Sequence, residues 1–215
     1  MKERPILFSA PMVRALLAGS KTQTRRPLKP QPAPNHPHDG GTKWVLKDGL
    51  HVPVGSVGHL SVREKQGLRC PYGQPGDRLW VREAWRTVAE ADALPPRDLN
   101  EAHRIWNEAD APHQPGAGKL RPGMFMPRWA SRITLEITAV RVERLQDISR
   151  EDAMAEGIVI QPDGGYGLAD TTHYHATDPR QSYFSLWEAI NGPGSVEANP
   201  WVWAVTFPAV GPGHG

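Results

Sequence analysis

The stretch SRITLEITAVRVERL (131–145) carries the longest strand pattern in the chain, and it changes side partway along. Ile133, Leu135 and Ile137 fall on one parity, Val140 and Val142 on the other. Side chains alternate faces along a strand, so a strand that keeps one apolar face must bulge or bend where the parity changes. The switch predicts a bulge or sharp bend near Thr138 and Ala139. Kinks of this kind let short strands curl into a small barrel.

The other elements agree with a mixed architecture. ILFSAPMVRALLAG reads as a strand followed by a helix, with Ser9 as N-cap, Pro11 in the first turn and Gly19 as the left-handed stop. KWVLKDGLHVPV reads as a hairpin, and PGDRLWVREAW as a turn leading into a strand. DLNEAHRIWNEA has the look of a helical fragment inside a Pro/Ala/Gly-rich excursion. DISREDAMAEGI predicts a short helix capped by Ser149 and stopped by Gly157. DPRQSYFSLWEAING predicts a longer helix, capped by Asp178 and ended by Gly192, with Phe184, Trp187 and Ile190 on one face. NPWVWAVTF reads as a closing strand. The expected fold class is α+β: a small bent β-barrel with flanking short helices and long loops. A single domain over 1–215 is expected, with loop insertions at about 28–68, 88–120 and 160–178.

Composition narrows the function classes. One cysteine, Cys70, leaves no disulfide framework and no cysteine-based zinc site within one chain. No apolar run approaches the ~20 residues a membrane helix needs, and nothing resembles a signal peptide, so a soluble, cytoplasmic protein is expected. Residues 1–30 hold seven cations against Glu3 alone, while the whole chain is only +2. A cationic edge beside a mildly acidic body suits an anionic partner, phosphate being the usual one.

Several side chains could carry chemistry. In LLAGSKTQTRR (16–26), Lys21 and Thr24 follow a helix stop and precede Arg25 and Arg26. A threonine is a nucleophile only beside a base, and a lysine is a base only with a lowered pKa, toward which neighbouring cations push. A basic phosphate-contacting or solvated loop is the other reading of the same residues. Glu156 closes the short helix, where the dipole's negative end works against an ionised carboxylate and suits a general acid. Glu83 shares a strand face with Leu79, Val81 and Trp85, so it calls for a cation partner or a ligand-binding role. Trp80 and Arg82 on the opposite face, and Arg128, Trp129 and Arg132 in MPRWASR, combine planar cations with aromatic rings as nucleic-acid surfaces do. The HPH (His36, His38) and HYH (His173, His175) pairs lack a supporting carboxylate pattern, and no metal site or cofactor is expected. Phosphate-loop, GxSxG and HExxH motifs are all missing.

Four segments in order, LAGSKTQTRR, PGDRLWVREAW, MPRWASRITLEITAVRVERLQDISREDAMAEGI and LWEAINGPGS…NPWVWAVTF, resemble the ASCH-domain family of the PUA-like superfamily, in its larger, often prophage-encoded branch. The resemblance implies a small β-barrel with a cleft on one side. The family's best understood activity is hydrolysis of N4-acetylcytidine, and the GxKTxT segment (Gly19 to Thr24) is similar to that of the bacterial enzyme. It implies Lys21 as base, Thr24 as nucleophile and Glu156 as acid toward the departing amine. Arg25, Arg26, Trp80, Arg82, Glu83, Arg128, Trp129 and Arg132 would then bind substrate. The expectation is a metal-independent amidohydrolase acting on a modified pyrimidine nucleoside or nucleotide. The alternatives are a module binding single-stranded or modified nucleic acid, RNA or DNA, and a metal-independent ribonuclease.

Overall fold

A computed structural model describes residues 1–31, 43–54, 67–110, 115–169 and 175–209. From the N-terminus the elements are β1 (Glu3–Leu7), α1 (Ala10–Leu17), β2 (Gln23–Pro27), β3 (Lys43–Lys47), β4 (Leu50–Val54) and β5 (Arg78–Arg82). β6 (Trp85–Arg86), β7 (Trp106–Asn107), β8 (Thr134–Glu136) and β9 (Ala139–Arg144) follow. The C-terminal third holds α2 (Arg150–Ala155), β10 (Ile158–Ile160), β11 (Tyr166–Leu168), α3 (Pro179–Asn191) and β12 (Trp201–Thr206).

Two three-stranded sheets organise the molecule. In one, β5 lies between β1, which is parallel to it, and β8, which is antiparallel. In the other, β12 lies between β2 and β9, both antiparallel. The parity switch is the joint between them. Ile137 donates its N–H to Asp77 O beside the first sheet, and Thr138 donates to Thr206 O of the second. Between these two residues the chain passes from one sheet to the other, so Ile137 and Val140 are both buried despite opposite parity. The fold is thus α+β and mostly strands; among the described residues the sheets do not close into a barrel.

β12 is buried on both faces, as a central strand must be, and each large apolar side chain such as Trp203 or Val205 contributes roughly 2 kcal/mol by leaving water. One core joins both sheets to α1, α2 and α3. A second, small cluster of Trp85, Ala91, Leu99, Met126 and Ala130 serves the 85–130 excursion, where Arg121 lies over the Trp85 ring and donates to Ala91 O and Leu94 O.

Local chemistry explains most element ends. Gly19 (φ 74°) stops α1. Ser149 Oγ accepts from Asp152 N at 3.0 Å to open α2, and Asp178 accepts from Arg180 N at 2.8 Å to open α3. Asp48 and Gly49, both at positive φ, make the two-residue turn of the β3–β4 hairpin, as a left-handed hairpin turn demands. Ser9 precedes α1 in extended conformation without a side-chain cap bond.

Two expectations are corrected. DLNEAHRIWNEA does not form an α-helix: Asn100 closes a turn by accepting Ala102 N, and Trp106–Asn107 pairs with Trp85–Arg86, so strand pairing and burial override helical propensity. On α3 the buried stripe is Ser182, Tyr183, Leu186 and Trp187, while Ile190 is 64 % exposed. No helix among the described residues is long and apolar enough to cross a membrane.

Candidate active site

The segment after α1 is pinned on both sides. Lys21 N donates to Ala15 O at 3.0 Å, and Thr22 N donates to Ala155 O at 2.8 Å, so the chain is held between the ends of α1 and α2. Lys21 and Glu156 form an isolated antiparallel bridge at this junction. The approach is close enough to require glycine next door. At Gly157 (φ 100°) a Cβ would sit 3.1 Å from Ala15 Cβ and 3.5 Å from Lys21 Cβ. A basic solvated loop is therefore not what this segment becomes.

Burial turns the bridge into chemistry. Lys21 Nζ lies 2.7 Å from Glu156 Oε2 and 2.8 Å from Glu156 O, with the two side chains 2 % and 5 % exposed. Burial pushes the Lys21 amine below its ordinary range. The charge and hydrogen bond of Glu156 oppose that shift, and Arg26 and Arg25 add to it.

Arg25 extends the pair into a network. Its Nη1 contacts Glu156 Oε1 at 3.2 Å and donates to Gln23 Oε1 at 2.9 Å. Nη2 contacts Asp152 Oδ2 at 2.9 Å, and Nε donates to Glu143 Oε1 at 2.8 Å. Gln23 Nε2 donates in turn to Asp152 Oδ1 at 2.9 Å. At the outer end Arg141 pairs with Asp152 at 2.7 Å and Glu143 at 3.3 Å. Three cations meet three carboxylates, so charge is balanced where solvation is lost. Burial opposes the charge of Arg25, yet Glu156 and Glu143 hold its guanidinium ionised beyond its ordinary range.

Beside this network lies a cavity of about 250 Å³. Lys21, Thr24, Arg25, Glu156 and Tyr183 contribute its polar lining; Phe8, Met12, Leu186 and Trp187 contribute apolar walls. The volume is near the ~300 Å³ lower end of small-molecule pockets, which suits a heteroaromatic base with a substituent better than a large ligand. From α3, Tyr183, Leu186, Trp187 and Ile190 recur at helical spacing, placing the exposed Ile190 at the rim. Thr24, 3 % exposed, has no side-chain hydrogen bond among the described residues. Arg26 also lines the cavity; its Nη2 donates to Leu7 O at 2.6 Å and its guanidinium lies 5.3 Å from the Phe8 ring centre.

Of the residues singled out in the sequence, Lys21, Thr24, Arg25, Arg26 and Glu156 come together here. The other six do not line this cavity. Trp80 is 8 % exposed, with Arg82 at 4.6 Å and Arg128 at 5.9 Å from its ring centre. Arg128 also pairs with Glu3 at 3.1 Å. Glu83 is buried against Arg132, which reaches it at 3.0 and 3.2 Å and pairs with Asp110 at 2.8 Å. Trp129 packs on the small second cluster. Sequence reasoning missed Tyr183, Trp187, Gln23, Glu143 and Asp152. The helical spacing of Tyr183, Leu186 and Trp187 was an available signal; nothing local linked Glu143 to Arg25.

Among the described residues no three His, Cys, Asp or Glu side chains converge as a metal site needs. His36, His38 and His173 lie outside the described residues, and His175 pairs with Asp163 at 3.0 Å. Comparison with protein-family models, curated proteins and solved structures finds no match to this chain.

Proposed function

We propose that this chain is an ASCH-type, PUA-like domain that acts as an amidohydrolase on an N-acylated exocyclic amine of a pyrimidine nucleoside or nucleotide. One observation carries the reading: an unbonded threonine hydroxyl and a buried lysine–glutamate pair line the same small cavity. The fold reading draws on the bent strand that joins the two sheets, and on the placement of the cavity against β2 and α3.

The pair holds a single proton between two sites, which is what acyl transfer needs. In its neutral form Lys21 is an amine and Glu156 a carboxylic acid; the lowered lysine pKa favours access to that form. Thr24 Oγ forms a bond to the acyl carbon, and its proton passes to Lys21 Nζ. The carbonyl π pair moves onto oxygen. Collapse of the tetrahedral intermediate breaks the C–N bond, and the amine leaves with the proton of Glu156. The enzyme is now an acyl-threonine ester with the pair ionised. In the second half Glu156 takes a proton from the attacking water, and Lys21 returns one to Thr24 Oγ as the ester C–O bond breaks. One water is consumed, an amine and an acid are formed, and the pair is again neutral.

The test is incubation with N4-acetylcytidine, reading cytidine release by mass, with Thr24→Ala run in parallel. Release by the wild type that is lost in the variant supports the reading. No release from the wild type, or equal release from both, overturns it.

A further inference from the structure

Among the polar groups lining the cavity, few are free to stabilise a developing oxyanion. Every nitrogen of Arg25 that carries a donor is committed to Glu143, Gln23, Asp152 or Glu156. Arg26 gives Nη2 to Leu7 O and its Nε is enclosed without a partner, while its Nη1 makes no hydrogen bond among the described residues and can serve the anionic part of a substrate. Trp187 Nε1 is likewise enclosed, with no surface open to a ligand. Ser9 is exposed at the rim, and Asn191 Nδ2 is committed to Trp187 O at 3.0 Å. Besides Arg26 Nη1, two hydroxyls are uncommitted: that of Thr24, which the proposed reaction uses as nucleophile, and that of Tyr183.

Tyr183 is 3 % exposed and sits mid-helix on α3, its ring held 6.2 Å from both the Trp187 and Phe184 rings at tilted angles. Tyr183 lines the cavity, and its hydroxyl makes no hydrogen bond among the described residues. Unlike Trp187 Nε1, the Tyr183 hydroxyl is not one of the fully enclosed atoms, so an uncommitted donor at the cavity wall stays open to a ligand atom. The phenol lies within electrostatic reach of Glu156, Arg25 and Arg26.

We propose that Tyr183 is a catalytic residue, its Oη–H donating to the acyl oxygen as Thr24 attacks. This rests on the amidohydrolase reading above. The phenol donates a hydrogen bond without transferring its proton, since burial above all pushes its pKa well above the ordinary range. The negative charge on oxygen lasts only until the C–N bond breaks. A rigid, water-shielded donor costs no reorganisation at that moment, which is where such donors act most strongly.

The experiment is steady-state kinetics of wild type and Tyr183→Phe on N4-acetylcytidine, with urea unfolding of both. Phenylalanine keeps the ring packing and removes one oxygen. The expected result is a kcat lower by about 10²–10³-fold with KM altered little, and no loss of unfolding midpoint. In an acyl-enzyme trapped from each protein, the ester carbonyl stretch should lie at higher frequency in the variant, because the polarising donor is gone. A kcat within about tenfold of wild type, or a loss carried in KM alone, overturns the role of Tyr183 while leaving the amidohydrolase standing. Absence of turnover in the wild type is a different result: it removes the amidohydrolase reading, and this role with it.

Discussion

Lys21 and Glu156 meet twice, once as partners in an antiparallel backbone bridge and once through a 2.7 Å contact between side chains that are 2 % and 5 % exposed. The second contact depends on the first. The bridge brings the end of α1 to the end of α2 and fixes where both side chains begin. Lys21 Nζ is held further by the Glu156 carbonyl at 2.8 Å. Arg25 holds the other carboxylate oxygen, so Glu156 cannot turn away from the lysine without breaking a second ion pair.

This arrangement predicts a pH-dependent cost for Glu156→Gln. The variant leaves a buried ammonium without its carboxylate, which typically costs about 3 kcal/mol. Lys21 already has a pKa below its ordinary range because of burial, and loss of Glu156 removes the group that raises it. The charged lysine penalises the fold at pH values below its folded-state pKa, and that penalty fades as pH rises through this value toward the unfolded one. Urea unfolding should therefore show a large deficit at neutral pH that narrows in alkali. A deficit that stays constant across that range would mean that Lys21 is not the group responsible.

The single-proton pair also predicts an alkaline limb in the dependence of kcat/KM on pH for the N-acyl substrate, appearing as the pair loses its proton. Because burial depresses the Lys21 pKa, the alkaline limb should fall below the usual lysine value of about 10.4. A rate that keeps rising past that value would point to hydroxide attack rather than to Lys21.

Nucleophilic attack by Thr24 predicts an acyl-threonine ester. Rapid mixing should show a burst of released amine up to the enzyme concentration where deacylation limits turnover, and acid quenching should leave the acyl mass on the peptide containing Thr24. Thr24→Ser, which keeps a hydroxyl, should retain part of the activity that Thr24→Ala loses. Equal and complete loss in both would favour an activated water as nucleophile.

Sequence patterns reached the parts of this protein that local physics decides. The parity change at Thr138 was visible because alternation is a short-range rule, and so were the caps at Ser149 and Asp178 and the stop at Gly19. The face of α3 was not, since Phe184 and Ile190 are as apolar as the residues that are buried, and only packing chooses between them. Long-range pairing hid the rest. Arg25 meets Glu143 and Asp152 across 118 and 127 residues, and the pairing of Trp85 with Asn107 displaced a helix that local propensity favoured. Lys21 meets Glu156 across 135 residues, and no spacing in the chain links the two.

Away from the cavity, the Glu83–Arg132 pair predicts an asymmetry between its two halves. The Glu83 side chain is 2 % exposed, whereas Arg132 is 21 % exposed and keeps Asp110 as a second partner at 2.8 Å. Glu83→Gln should thus cost about 1 kcal/mol, while Arg132→Met strands a buried carboxylate at about 3 kcal/mol near neutral pH. Burial already raises the Glu83 pKa above its ordinary range, against the hydrogen bonds and charge of Arg132. A raised carboxyl penalises the fold when ionised, so that stability is lost as pH rises through the folded-state value and recovered as it falls. Removing Arg132 raises that value further. The Arg132→Met deficit should therefore shrink from pH 7 toward acid, and the Glu83→Gln deficit should not. Urea unfolding across that range decides it, and equal, pH-independent costs would show Glu83 to be solvated and the pair superficial.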